Sequence, residues 1–284
     1  IGQRHMVAEG QKTSDLAIAA GEKALEHAGL NATDLDCIII ATTTPDDTFP
    51  ATAATAQAGP GASNAFAFDV QAVCAGFVYG LDVGDSMVKC GKANKALVIG
   101  AESFTRILDW EDRSTAVLFG DGAGAVVLEA SEDHDGWGIL SSTLYTDGRF
   151  KDILYVDGGV SSTGTVGHVR MKGREVFRHA VEKLSSSMEA ALKISGLEAS
   201  DVDWLVPHQA NLRIIDSMQK KLNLDENKVV RTVHEHANTS AASIPLALDT
   251  AVADGRIKPG HVIAFEAIGG GLSWGAAPAR FGKP

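Results

Sequence analysis

The hydrophobic pattern of the chain alternates between segments of helical period and short, uninterrupted aliphatic runs. Residues 16–28 form the first kind, with Ser14 as a predicted N-cap, Gly29 as the stop and residues 31–34 as the loop that follows. Cys37–Ala41 is the second kind, a strand without a polar face. Runs of this sort after helices predict a parallel sheet covered on both sides, hence an α/β protein. The same reading gives a small-residue helix over 51–58, a strand at 66–68, and a helix that opens at Cys74 and is closed by Gly91. Strands follow at 96–100, 116–119 and 125–128, the last two joined by Gly120-Asp121-Gly122-Ala123-Gly124. That run lacks the Lys-Ser/Thr of a phosphate loop and precedes a strand, so it reads as a tight turn.

Beyond a polar, acidic stretch at 129–138, which contains His134, strands are predicted at 139–145, 205–208, 229–230, 261–267 and 273–281. A glycine-rich irregular stretch covers 147–167. Helices are predicted at 175–194, closed by Gly196, at 211–222, and from Asn238-Thr239-Ser240 through 253. Residues 22–37 align without a gap to residues 189–204, at a shift of 167, with eight identities in sixteen. Both copies read helix, glycine stop, acidic loop, strand, and the later order of elements repeats as well, so the chain reads as two similar α/β halves, 1–133 and 134–284.

Composition narrows the class. With 284 residues, 45% hydrophobic and 21% charged, the chain can bury a full core. Cys37, Cys74 and Cys90 cannot all pair and show no metal-ligand spacing, which suits a reducing compartment. No apolar run is long enough to cross a bilayer and no signal peptide is visible, so a cytoplasmic location without membrane contact is expected. A formal charge of −11 argues against nucleic acid as a partner. Because the chain opens on Ile1-Gly2-Gln3-Arg4-His5 without methionine, a preceding segment is expected.

Candidate chemistry starts at Cys74, between a strand-like and a helix-like run. Over the first turn of a helix, unpaired N–H groups and the dipole favour thiolate, although a lone Cys among Ala, Val and Phe also reads as a core thiol. The repeat supplies partners, because in its register, allowing a small shift in loop length, the helix opening at Cys74 corresponds to the one opening at Asn238. His208 ends the strand that matches Cys37–Ala41. Ligands gather at the carboxyl ends of parallel strands, which brings Cys74, His208 and Asn238 toward one site. A thiolate that accepts an acyl group, with imidazole and amide donors for a carbonyl oxygen, suits thioester chemistry. Each residue also has a plainer reading, His208 as a strand end and Asn238 as an N-cap. The triple glycine at 269–271 reads either as a hairpin turn or as backbone brought close to substrate. His234-Glu235-His236 lacks a third ligand at helical spacing, so no metal is predicted.

Five motifs in order, Val73-Cys74-Ala75-Gly76-Phe77, Phe119-Gly120-Asp121-Gly122-Ala123-Gly124-Ala125, Val206-Pro207-His208-Gln209-Ala210-Asn211, Asn238-Thr239-Ser240-Ala241-Ala242-Ser243 and Gly269-Gly270-Gly271-Leu272-Ser273-Trp274-Gly275, resemble those of β-ketoacyl-acyl carrier protein synthase III. The resemblance implies a thiolase-like fold of two pseudo-symmetric halves in α/β/α/β/α layers, and a homodimer. It implies condensation of an acyl-CoA primer, usually acetyl-CoA, with malonyl-acyl carrier protein to start fatty-acid synthesis, with no cofactor. Carried across by motif, Cys74 takes the acyl group, the N–H groups of Cys74 and Gly270 form the oxyanion hole, and His208 and Asn238 hold the malonyl thioester. Phe49 reaches the neighbouring subunit's acyl pocket, Phe119 lines that pocket together with the Ile268 position, and Arg113 helps hold the coenzyme A nucleotide. Arg174, Arg178, Arg213, Lys220 and Lys221 become the dock for the acidic carrier, although charge runs are commonly only solvated faces. Two positions depart from the family pattern: Ala237 stands where glycine often precedes the asparagine, and Ile268 where an aromatic is frequent. A thiolase would need a second cysteine near the C-terminal glycines, and elongating synthases a histidine at the Asn238 position. A specialised synthase for a signal or secondary metabolite, or a non-catalytic acyl-CoA binder, are the alternative readings.

Overall fold

In the computed structural model, which describes residues 1–132 and 136–283, the aliphatic runs become the inner strands of two sheets. In the first, β1 (Cys37–Ala41) lies between β2 (Phe66–Val70) and β3 (Lys95–Glu102), parallel to both, and β4 (Gly122–Glu129) runs antiparallel to β3. Then come the short strands β5 (Gly138–Ile139) and β6 (Thr143–Thr146) and a two-stranded pair, β7 (Leu154–Val156) with β8 (Val169–Met171). β9 (Trp204–Pro207), β10 (Val262–Gly269) and β11 (Ser273–Arg280) build the second sheet. In it β9 is parallel to β10, β10 antiparallel to β11, and β11 carries β5 and β6 on its far side.

The helices are α1 (Thr13–Ala28), α2 (Thr52–Ala58), α3 (Gly76–Lys89), α4 (Arg113–Ala116), α5 (Gly173–Ile194), α6 (Leu212–Lys221), α7 (Val233–His236) and α8 (Ser243–Ala253). Side-chain alternation along the strands sorts them into layers. Ala17 and Leu25 of α1 and Ala53 of α2 pack on Ile38, Ile40, Leu97 and Ile99. Phe77 and Leu81 of α3, with Ile244 and Leu248 of α8, lie between the sheets against Val98, Val206, Phe265 and Ala277. Leu184 and Met188 of α5, with Ile215 and Met218 of α6, cover the outer face of the second sheet at Leu205, Ala264 and Ala276. The order is α/β/α/β/α, the thiolase-like architecture. Phe77 meets Phe265 edge-on at 6.4 Å, both buried, so truncating either costs about 3–5 kcal/mol and loosens the helix behind Cys74.

The repeat holds through the backbone. The 3₁₀ turns Ala32–Asp34 and Ala199–Asp201, the strands β3 and β10, and the 3₁₀ turns Val73–Ala75 and Ser240–Ala242 all stand 167 residues apart. Asp36 accepts a hydrogen bond from the Lys95 N–H at 3.0 Å, and Asp203 accepts one from the Val262 N–H at 2.8 Å, again the same shift. No loop-length adjustment is needed at the central helices, so Cys74 matches Ala241 and Val73 matches Ser240. The boundary between halves at 133/134, and His134 with it, lies outside the described residues.

Several elements differ from the expectation. Residues 116–119 are not a strand: Asp112 caps the Ser114 N–H at 2.9 Å and starts α4, and the following turn presents the Ala116 and Phe119 carbonyls to the Arg4 guanidinium. Gly122 and Gly124 belong to β4 instead of a turn, and Gly124 lets α8 approach, since a Cβ there would lie 2.8 Å from Pro245. The N-cap of α1 is Lys12, whose N–H is held by Asp15 at 2.8 Å, while Ser14 lies inside the first turn. Residues 139–145 split into β5 and β6, and 229–230 shrinks to a single bridge from Val229 to Leu205.

Candidate active site

Cys74 sits in the 3₁₀ turn that leads into α3, only 3% exposed. The residue before it, Val73, has φ +50°, an unusual conformation for a β-branched side chain, and this sharp bend sets the cysteine at the helix entrance. The segment from Asn238 to Ser243 is the hub to which the other candidates attach. Ser240, also left-handed at φ +51°, lies beside the Cys74 thiol and the Glu102 carboxyl. Asn238, 6% exposed, accepts the Ser240 N–H on Oδ1 at 2.9 Å, and its backbone bridges Phe119. Because Oδ1 is so held, the Nδ2 amide is the part of Asn238 left to donate. His208, 5% exposed and just past β9, meets Ser243 Oγ through Nδ1 at 2.6 Å. Its position is set by its own N–H to the Glu266 carbonyl at 2.8 Å and by Gln209. That buried side chain spans Pro207, Val230, Thr232 and Val233 with four hydrogen bonds.

The glycine run passes against the cysteine turn. A Cβ on Gly269 would lie 2.6 Å from the Cys74 nitrogen and 2.8 Å from the Ala72 oxygen, and one on Gly270 would lie 2.7 Å from the Leu154 oxygen. Only glycine brings the two backbones this close. A cavity of about 250 Å³ opens here, with Val73 and Gly270 on its wall beside Thr43, Gln71, Phe104 and Leu154.

The electrostatics correct one expectation. Burial pushes the Cys74 thiol up to about 12, against the Ser240 hydroxyl, and the Glu102 carboxyl adds to the rise. Desolvation is the largest of these influences, and on their balance Cys74 rests as a thiol. Burial lowers His208 to about 3, so its imidazole is neutral. Glu102, buried and raised to about 7 by desolvation, accepts from Thr44 Oγ1 at 2.7 Å and the Thr43 N–H at 3.1 Å. Glu266, on the strand beside His208, is raised by burial to about 8, and neither carboxyl oxygen has a hydrogen-bond partner among the described residues.

The remaining candidates lie farther out. Phe119 is buried and stacks at 4.4 Å on Phe104, which lines the cavity, so it forms the second layer of that wall. Ile268 packs in the cluster under α5 and α6 and is not among the residues lining the cavity, because it alternates with Ala267 of the inner face. Phe49 is 84% exposed, and Arg113 lies exposed on α4, three residues after the half-exposed Trp110. Arg174, Arg178, Arg213, Lys220 and Lys221 are all exposed on α5 and α6, which pack together, and no ion pair is formed by them among the described residues. Sequence reasoning gave no role to Ser240, Ser243 or Glu102, while Gly269 lies in the triple glycine already read as a turn or as backbone brought close to substrate. For Ser240 the repeat was a usable signal, since it matches Val73. Among the described residues no group of three or more His, Cys, Asp or Glu is placed to hold a metal, and no helix is long and apolar enough to cross a membrane.

Family models described as 3-oxoacyl-[acyl-carrier-protein] synthase III and its C-terminal region match residues 68–148 and 192–281. A β-ketoacyl-[acyl-carrier-protein] synthase III of Erythrobacter litoralis is 59% identical over 282 residues, 99% of this chain and 88% of the relative. One of Paramagnetospirillum magneticum is 60% identical over 283 residues, covering 99% and 87%. Among solved structures, the 3-oxoacyl-[acyl-carrier-protein] synthase III of Aquifex aeolicus aligns with a TM-score of 0.92 at 44% identity, over 98% of this chain and 87% of that one. The priming β-ketosynthase of the R1128 polyketide pathway aligns at 0.93 with 33% identity, over 99% and 85%.

Proposed function

The chain belongs to the 3-oxoacyl-[acyl-carrier-protein] synthase III family, the initiating condensing enzymes of fatty-acid synthesis, and from that premise we propose how its own residues carry the reaction. The observation that carries the assignment is the Asn238–Ser243 hub, which sets Ser240 against Cys74, turns the Asn238 amide free and holds His208. In the first half-reaction Cys74 Sγ attacks the thioester carbon of an acyl-CoA. The Cys74–acyl bond forms as the acyl–coenzyme A bond breaks, and the thiol proton ends on coenzyme A. The N–H groups of Cys74 and Gly270 receive the oxyanion. Since the resting thiol is protonated, proton loss accompanies attack.

In the second half-reaction malonyl-acyl carrier protein places its thioester oxygen between His208 and the Asn238 amide. Carbon dioxide leaves, its bonding pair forms an enolate stabilised by these two donors, and the carbanion attacks acyl-Cys74. The product is 3-ketoacyl-acyl carrier protein, and Cys74 recovers a proton from solvent. Two neutral donors suit this step, since a buried cation would not be kept by the site. The electron count closes without a metal or redox cofactor.

Phe49, exposed in the single chain, reaches a second copy's acyl pocket in the proposed homodimer, and the outer edge of β2, unpaired among the described residues, supports strand pairing across a two-fold axis. Arg113 meets the coenzyme A phosphates, and the basic faces of α5 and α6 dock the acidic carrier in a cytoplasmic setting. Mass spectrometry of the Cys74 peptide after incubation with acetyl-CoA tests the core of this reading. A single acetyl adduct that vanishes in Cys74→Ala is expected; an adduct elsewhere, or undiminished condensation by that variant, removes Cys74 from the mechanism.

A further inference from the structure

His208 must present a ring N–H to a thioester oxygen, yet a neutral imidazole carries its proton on either nitrogen. The first turn of α8 decides which. Ser243, 2% exposed, places Oγ 2.6 Å from His208 Nδ1. The same oxygen accepts the Gln209 N–H at 3.3 Å, and it makes no bond to a backbone carbonyl among the described residues. With one lone pair engaged by Gln209, the hydroxyl proton has Nδ1 as its acceptor. Were Nδ1 protonated instead, Oγ would accept twice and its own proton would be buried without a partner.

We infer that Ser243 is a positioning residue that donates its hydroxyl proton to His208 Nδ1, fixing the Nε2–H tautomer and aiming that N–H at the thioester carbonyl of the carrier-bound substrate. The inference rests on the role proposed for His208, and it adds the residue that sets the state of the ring. The shift of 167 places Gly76 at the equivalent point of the first half, where a Cβ would lie 3.1 Å from Ala41 Cβ. Only the second half therefore has a hydroxyl at this turn, and only it carries the histidine.

The test combines a spectrum with kinetics. Nitrogen-15 spectra of histidine-labelled full chain at neutral pH should show His208, assigned by its loss in His208→Ala, with Nε2 protonated and Nδ1 bare. Ser243→Ala should give a tautomer mixture and Ser243→Thr should restore the single form. In the same variants, kcat for decarboxylation of malonyl-acyl carrier protein should fall about 10- to 100-fold in Ser243→Ala with little change in KM, and recover in Ser243→Thr. Acetylation of Cys74 by acetyl-CoA should stay at the wild-type rate. Wild-type protein with its proton on Nδ1 overturns the inference even if no Ser243 variant folds, as does an unchanged tautomer in Ser243→Ala. If the wild type neither acetylates Cys74 nor decarboxylates the malonyl carrier, the proposed function fails while the spectrum still decides the role of Ser243.

Discussion

The Cα of Gly269 faces the backbone nitrogen of Cys74 so closely that a methyl group there would sit 2.6 Å from it. The end of β10 is thereby pressed against the bend that carries Cys74, the proposed nucleophile. Gly269→Ala forces one of the two backbones to move. Displacement of roughly 1 Å costs on the order of 100-fold in a positioned reaction. Cys74 acetylation, followed by intact-protein mass spectrometry, should slow by at least that factor while circular dichroism reports the same secondary structure. A wild-type acylation rate would mean that the close approach is only packing.

Glu266 gives the molecule a pH signature. Its carboxyl is raised by burial from an ordinary 4.5 to about 8, so the native state holds a proton that the unfolded chain releases. Through this group the native state binds more protons between those values, so the Glu266 contribution to stability falls as pH rises from about 4.5 to about 8 and levels off above. Glu102, raised to about 7, adds to the same slope. His208, lowered from 6.5 to about 3, opposes the fall below 6.5. Unfolding free energies from urea titrations across this window should drop by an amount on the order of a few kcal/mol. Glu266→Gln should flatten most of the fall, and an unchanged slope in that variant would assign the effect to other groups.

Ala237 lies at φ +60° and ψ −162°, fully buried, in a region that belongs to glycine. The strain sits immediately before Asn238, the residue whose amide the site uses in the proposed mechanism. Ala237→Gly should raise the stability by about 1 kcal/mol, the relief of strain exceeding the entropy that glycine adds to the unfolded chain. A loss of stability by thermal unfolding would show that the surrounding packing depends on the methyl group.

Arg213 and Lys220 stand exposed on α6 without ion-pair partners among the described residues. Reversing both charges should raise KM for malonyl-acyl carrier protein at least 10-fold at low salt, less at high salt, and leave acetyl-CoA priming nearly untouched. Equal effects on both half-reactions would remove this face as the carrier dock.

Local grammar made much of the fold legible. Cys37–Ala41 forms its strand with the bounds read from the chain, because a five-residue aliphatic run has no stable place except the middle of a sheet. Gly29 and Gly196 close their helices in left-handed backbone, as a glycine after an amphipathic segment predicts. The repeat was legible because both halves solve the same covering problem with the same caps. Residues 116–119 misled because their apolar run says nothing of Arg4, more than a hundred positions earlier, whose guanidinium gathers their carbonyls.

By itself, then, the sequence determined the residue types of the site, the duplicated order of elements and the family, since these are carried by local propensity and by motifs at fixed positions. Only the tertiary structure decided which groups meet. It places Ser243 on His208, Ser240 beside Cys74 and Gly269 against the Cys74 nitrogen, and it packs Ile268 into the cluster under α5 and α6. It also keeps Cys74 a thiol, because burial depends on every layer packed around a group, whereas the helix entrance that favours thiolate is a local feature visible in the chain.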